Sequence, residues 1–342
     1  MADTVIHLEN DYSECAHPAI LDRIARENTN ARAGYGLDDV CGSAAARIRV
    51  EIGRADADIH FLTGGTSANL IALAAFLRPH EAVICAEQAH INVHETGAVE
   101  ATGHKLLAIP TTDGKLTPAM VEVVYAKQTD EHMVKPRLVY ISNATELGTV
   151  YTAGELYSLR EQCDRLKLLL FMDGARLGSA LAASDVRWID LPRSLDAFYI
   201  GGTKNGALFG EAMVIVNESL KEDFRYLTKQ RGGMLAKGFL LGHQFDALFS
   251  DGLYLTLARR ANAIADGLRG VLEARGVRFL ARTRTNMVFP ILPDAWITKL
   301  RGRFAFHDTE RVSETETAVR LVTSWATPET VIAEFADCVN QL

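Results

Sequence analysis

Between residues 58 and 216 the chain alternates short apolar runs with amphipathic stretches. The runs are "DIHFLT", "AVICAE", "RLVYIS", "LLLFMD", "LDAFYIGG" and "EAMVIV"; the intervening helical patterns are "NLIALAAFL", "HETGAVEATG" and "AGELYSLREQCDRLK". Runs of four to six apolar residues separated by helix-period segments predict a mainly parallel sheet with helices on both faces, an α/β architecture. From about Tyr254 the texture changes. A long helical segment, "YLTLARRANAIADGLRGVLEARG", leads into "TNMVFPIL", "RFAFHD", "TAVRLVTSW" and a last helix, "PETVIAEFADCVNQL". That pattern predicts a smaller α+β unit with a short antiparallel sheet. The expected division is an N-terminal arm over 1–30, a large domain over 31–253 and a small C-terminal domain over 254–342.

In open parallel sheets ligands bind beyond the carboxyl ends of the strands, so the polar residues that follow each apolar run are the candidates for a site. After "IHFL" comes Thr63-Gly64-Gly65-Thr66-Ser67-Ala68-Asn69; after "VIC", Glu87 and His90; after "LLLFM", Asp173; after "AFYI", Gly201-Gly202-Thr203-Lys204. Gly64, Gly65 and Thr66 stand at a strand-to-helix junction whose free N–H groups suit a phosphate, or simply cap a helix. The glycine spacing is neither GxGxxG nor GxxxxGK[ST], which excludes the usual dinucleotide and P-loop patterns. His90 and His94, four apart beside Glu95, could share a metal, but no third ligand is evident and HExxH is absent; a His that stacks on a flat ligand fits better, and no metal is expected.

Asp173 and Lys204 lie about one strand–connection–strand unit apart, so both can emerge on one sheet edge. Separately, Asp173 with Arg176 could be a local ion pair and Lys204 a solvated loop residue. Together with the glycine loop they supply the three holds that pyridoxal 5'-phosphate needs: a carboxylate for the ring nitrogen, a lysine for a Schiff base and a phosphate cup.

Composition narrows the partner. The net charge of −7 has its basic residues scattered, against nucleic acid or an anionic membrane as the main partner. The N-terminus lacks the pattern of a signal peptide, and no apolar run approaches membrane-spanning length. Five cysteines without CxxC spacing read as reduced thiols, so a cytoplasmic protein acting on a small molecule is expected.

With these residues in view, the chain resembles the low-specificity L-threonine aldolase family of fold-type I pyridoxal phosphate enzymes. The resemblance rests on "NDYSECAHPAIL", "GYGLDD", "GGTSANL", "EQAHINVHETGAVEATGHKL", "FMDGARL", "GGTKNGALFG", "RGGMLAKGFLL" and "VRLVTSW", in that order from about residue 10 to 326. It implies that Lys204 is the Schiff-base lysine, Asp173 the ring-nitrogen partner and His90 the stacking imidazole and candidate base. It places Gly65 and Thr66 in the phosphate loop and Ser13, Arg176 and Arg320 around the substrate carboxylate, with Arg231 or Lys237 reaching the phosphate. A homotetramer, a dimer of dimers with shared sites, is implied as well. Two departures stand out: Thr145 and Glu146 occupy a segment where many members carry a second histidine, and the stretch around Lys204 is longer and more polar than the common form. The implied reaction is cleavage of the Cα–Cβ bond of an L-β-hydroxy-α-amino acid to glycine and an aldehyde. Alternatives are another pyridoxal phosphate lyase acting by β-elimination, or a noncatalytic cofactor-binding protein. Glu146 either orders a water or His90 near the β-hydroxyl, or points to solvent from its turn.

Overall fold

The computed structural model describes residues 5–342; residues 1–4, the start of the expected arm, lie outside the described residues. β1 (Ile6–His7) comes first, and the apolar runs then form β2 (Asp58–Leu62), β3 (Glu81–Ala86), β4 (Leu106–Ile109), β5 (Lys135–Ser142), β6 (Leu169–Asp173), β7 (Ala197–Gly201) and β8 (Glu211–Ile215). Strands β2 to β8 make one sheet in the order β2-β8-β7-β6-β5-β3-β4. Neighbours from β4 to β7 are parallel, and β8 runs antiparallel between β2 and β7. β3, β6, β7 and β8 are buried along their whole length, as a sheet covered on both faces requires.

One expected helix is absent. "HETGAVEATG" holds only a 3₁₀ turn, Glu100–Thr102, after a four-residue helix at His90–Val93, and β4 follows. Gly97 and Gly103 sit at φ +71° and +93° and Thr96 at +54°, conformations that interrupt a right-handed helix.

The C-terminal part supplies β9 (Arg278–Phe279), β10 (Met287–Val288), β11 (Pro290–Pro293), β12 (Phe304–Ala305), β13 (His307–Arg311) and β14 (Glu316–Val322). β10, β11 and β13 pair antiparallel with β14, and β9 with β11, giving the small antiparallel sheet. Two main apolar cores result: one around the seven-stranded sheet, the other formed by Ile264, Leu268, Leu272, Val319, Leu321, Val331 and Phe335 with their neighbours. The helix Leu253–Glu273 belongs to both, through Tyr254 and Leu257 at its start and Ile264 to Leu272 further on. The N-terminal stretch is divided likewise: β1 pairs with β12 and Leu8 enters the second core, whereas Ala16 and Ile20 enter the first. Residues 9–15 therefore cross between the two cores, and this crossing is what brings Asp11 to the sheet edge.

Candidate active site

The carboxyl ends of β5, β6 and β7 meet at one edge. Ser142 lies opposite Asp173 in the β5–β6 register, and Met172 opposite Phe198, so Asp173 stands beside Tyr199. Two glycines permit this approach. A Cβ on Gly174 would sit 1.8 Å from the carbonyl oxygen of Tyr199, and one on Gly201 would sit 2.3 Å from that of Ala175. The glycines after Asp173 and before Lys204 are thus required by backbone-to-backbone contact where the two strands end.

Asp173 is 4% exposed, yet its carboxylate is richly solvated by the protein. It accepts hydrogen bonds from the Tyr140 hydroxyl (2.5 Å), Asn69 Nδ2 (3.1 Å) and the backbone N–H of Ala175 (2.9 Å). Burial alone would raise its pKa, but these donors together with Tyr199 hold it below the ordinary carboxylate value. Asp173 is therefore a fixed negative charge, suited to keep a proton on a ring nitrogen.

Lys204 follows β7 in a turn, itself partly exposed between buried Gly202 and Asn205. Its pKa is lowered, first by burial and then by the Arg176 guanidinium, against the opposing pull of Asp11, Asp173 and Glu211. An amine held toward its neutral form is the form that attacks a carbonyl.

Gly64 and Gly65 open the helix Gly65–Phe76, with open space around the position a Gly64 Cβ would occupy. The same helix carries Asn69, fully buried, whose bond to Asp173 ties the helix start to the end of β6. First-turn N–H groups and Asp173 thus face one region from two sides. A Cβ on Gly233 would meet Ile71 Cδ1 at 2.4 Å and Ser67 Oγ at 3.5 Å, so the turn that follows Arg231 crosses this helix start. Lys237 instead precedes Gly238, which abuts Gly36. Arg231 and Lys237 are both exposed.

His90 begins its four-residue helix and is partly exposed. Its Nδ1 is 2.8 Å from Glu95 Oε1, and Asn69 Nδ2 donates to the same oxygen at 2.8 Å. A continuous path therefore runs His90–Glu95–Asn69–Asp173. Glu95, which in the sequence is only a neighbour of a possible metal pair, orients the imidazole, while His94 is exposed with its ring 5.4 Å from that of His90. Glu146 does not point to solvent. Its Oε1 accepts from the backbone N–H of His90 (2.9 Å) and from Ser142 Oγ (2.8 Å), and burial, then Asp173, raises its pKa.

Arg176 pairs not with Asp173 but with Asp11: Nε to Oδ2 at 2.7 Å and Nη2 to Oδ1 at 3.0 Å. Asn286 Nδ2 donates to the same Oδ2 at 2.9 Å. Asp11 takes one edge of the guanidinium, so a second carboxylate would meet the Nη1 side. Arg320 on β14 donates to the Glu9 carbonyl at 3.4 Å, and its buried Nε has no hydrogen-bond partner. Burial and then Arg176 lower its pKa. Two arginines close enough to repel, one with a buried unpaired N–H, describe a place for an anion. Ser13 is exposed on the crossing segment and donates to Asn10 Oδ1 at 2.9 Å, two residues from Asp11. Asp11, Tyr140, Tyr199 and Asn286 carry no local sequence signal, because each acts through a partner distant in sequence.

A fixed carboxylate, a partly buried lysine with a lowered pKa and a glycine-opened helix start on one edge define a pyridoxal phosphate-dependent lyase of fold type I, and the donor set fits that cofactor. Residues 16–295 match the model of the β-eliminating lyase family. The low-specificity L-threonine aldolase of Pseudomonas aeruginosa is 34% identical, over 94% of this chain and 99% of that protein. The protein of the same name from a Pseudomonas species is 35% identical, over 91% and 90%. A solved threonine aldolase from Leishmania major superposes with a TM-score of 0.97 at 46% identity, covering 98% of this chain and 99% of that one. The chain belongs to the β-eliminating lyase family.

Proposed function

We propose that this protein is a low-specificity L-threonine aldolase, cleaving L-threonine, L-allo-threonine or related L-β-hydroxy-α-amino acids to glycine and an aldehyde. The supporting observation is the shared strand-end edge on which Asp173, Lys204 and the Arg176–Arg320 pair converge with His90 and Glu146. The names of the Pseudomonas and Leishmania relatives point the same way.

Pyridoxal 5'-phosphate, when bound, supplies an electron sink for the pair of electrons left at Cα. Lys204 would hold it covalently, Asp173 would keep the ring-nitrogen proton in place, and Gly64, Gly65, Thr66 and Arg231 would hold the phosphate. Arg176 and Arg320, with Ser13, would take the substrate carboxylate and so orient the bond to be broken. His90, held by Glu95, would stack on the ring and move the β-hydroxyl proton, directly or through a water ordered by Glu146. Removing that proton as the Cα–Cβ bond breaks releases the aldehyde, and returning one to Cα yields glycine.

The domain reading we put forward is a segment over 1–30, a cofactor-binding unit over 31–253 and a smaller unit over 254–342, supported by the two main cores. We place the protein in the cytoplasm as a homotetramer. Five free cysteines, three of them buried, suit a reducing compartment. Exposed Tyr35, Leu37 and Val50 offer apolar surface to another copy. Among the described residues no helix is long and apolar enough to cross a membrane. The test is borohydride reduction of the purified protein followed by peptide mapping, with aldehyde release measured over a panel of β-hydroxy amino acids. Label on Lys204 with aldehyde formed supports the reading; label on another lysine, or no aldehyde from any substrate, overturns it.

A further inference from the structure

Glu211 is a buried carboxylate that the reaction outlined above leaves unused. It is 3% exposed, opens β8, and lies opposite Gly201 in β7 and Leu62 in β2. A carboxylate in such a place costs free energy unless its oxygens are satisfied or it serves another group. Here both oxygens grip the turn that carries Lys204. Oε2 accepts the backbone N–H of Gly202 at 2.8 Å, and Oε1 accepts the Thr203 hydroxyl at 3.0 Å. Thr203 Oγ1 in turn accepts the N–H of Gly210 at 2.9 Å, which closes the loop between β7 and β8. The two residues immediately before Lys204 are thus fixed by one side chain.

The same carboxylate acts on Lys204 through space. Burial, first, lifts the Glu211 carboxyl to about 8, against the hydrogen bonds from Gly202 and Thr203 and the attraction of Lys204, with Asp173 adding to the rise. The other titratable groups that face it are the Tyr199 and Tyr254 phenols, both raised far above the range in which the enzyme would work. Lys204 also feels Arg176, Asp11 and Asp173. Asp173 and Asp11 are held ionised and Arg176 is held cationic by their own partners. His94 also lies within the field of Lys204, but of these neighbours it is Glu211 that both attracts the lysine's charge and holds the backbone of its turn.

We propose that Glu211 is a positioning residue for Lys204: it anchors the lysine's turn, and its carboxylate, close to the lysine, favours the protonated lysine nitrogen. The inference rests on the reading of Lys204 as the cofactor-bearing lysine.

The two roles separate by substitution. Glu211→Gln keeps the shape; its amide oxygen can accept from Gly202 and its NH₂ can donate to Thr203 Oγ1, so the anchor survives and the charge is lost. Glu211→Leu removes both. The measurement is a pH titration of the bound cofactor's visible absorption in protein purified with pyridoxal phosphate, with cofactor content measured in parallel. Glu211→Gln is expected to retain near-normal cofactor content and to move the absorption midpoint to lower pH by about one unit, because a nearby negative charge that favours the protonated nitrogen is gone. Glu211→Leu is expected to lose cofactor as well. A cofactor-loaded Glu211→Gln protein whose midpoint equals that of the parent overturns the proposal while leaving the reading of Lys204 intact. Protein whose lysine does not carry the cofactor overturns both.

Discussion

Replacing Asp11 with Asn tests the contact that joins the N-terminal segment to the sheet edge. Three donors converge on this carboxylate: Nε and Nη2 of Arg176 at 2.7 and 3.0 Å, and Asn286 Nδ2 at 2.9 Å. Asp11 is 1% exposed, so no solvent compensates for their loss. An amide keeps one acceptor and turns an NH₂ toward groups that are themselves donors, while Arg176 stays buried without its counter-charge. Removing one partner of a buried pair of this kind costs about 3–5 kcal/mol. The pH dependence follows from the direction of the shift. Asp11 is held below its ordinary 3.8 by Arg176, Lys204 and Asn286 in spite of burial, so its contribution is present above about that pH and is lost as pH falls through the depressed native value. Urea unfolding of both proteins, loaded with cofactor, should show the full gap at pH 7 and a gap that closes in acid below about pH 4. A difference under about 1 kcal/mol at pH 7, or one that persists unchanged into acid, would refute a buried ion pair as the tie.

Four further outcomes are expected. Asp173→Asn should leave the fold intact and lower turnover by about a thousandfold or more, since an amide does not hold the ring-nitrogen proton; circular dichroism and kcat check it. Glu95→Gln should lower kcat by about tenfold or more with cofactor content unchanged, because the imidazole of His90 loses the carboxylate that orients it. Glu146→Gln should change the ratio of rates on threonine and on an aromatic β-hydroxy amino acid, with the cofactor absorption unaltered; an unchanged ratio would remove Glu146 from substrate selection. Gly174→Ala, whose Cβ would stand 1.8 Å from a carbonyl oxygen, should destabilise by about 4 kcal/mol or more, read as a lowered thermal midpoint and poor cofactor retention.

How far the sequence disclosed the site depended on whether a residue's role was local. Asp173 and Lys204 were recognisable because each ends an apolar run, and the position alone places them on the ligand-binding edge of a parallel sheet. The glycines after Asp173 and before Lys204 were visible as residues, but their reason, the near contact of two strand ends, exists only in three dimensions. Arg176 stood three residues from Asp173 and invited pairing with it; its partner is Asp11, 165 residues away, delivered by a segment that crosses between the two cores. Likewise the helix expected over 94–103 failed because Thr96, Gly97 and Gly103 take left-handed conformations that hydrophobic spacing does not register. Glu211 gave no signal at all. It is a strand residue in an apolar run, and only the turn that it grips shows why a carboxylate is kept there.

The central claim is tested most directly by a product balance on L-threonine with the purified, cofactor-loaded protein. Cα–Cβ cleavage gives glycine and acetaldehyde in equal amounts, with no ammonia released, and Lys204→Ala abolishes both products. Ammonia and 2-oxobutanoate in place of glycine would show that the same residues serve β-elimination, and the assignment as an aldolase would fall.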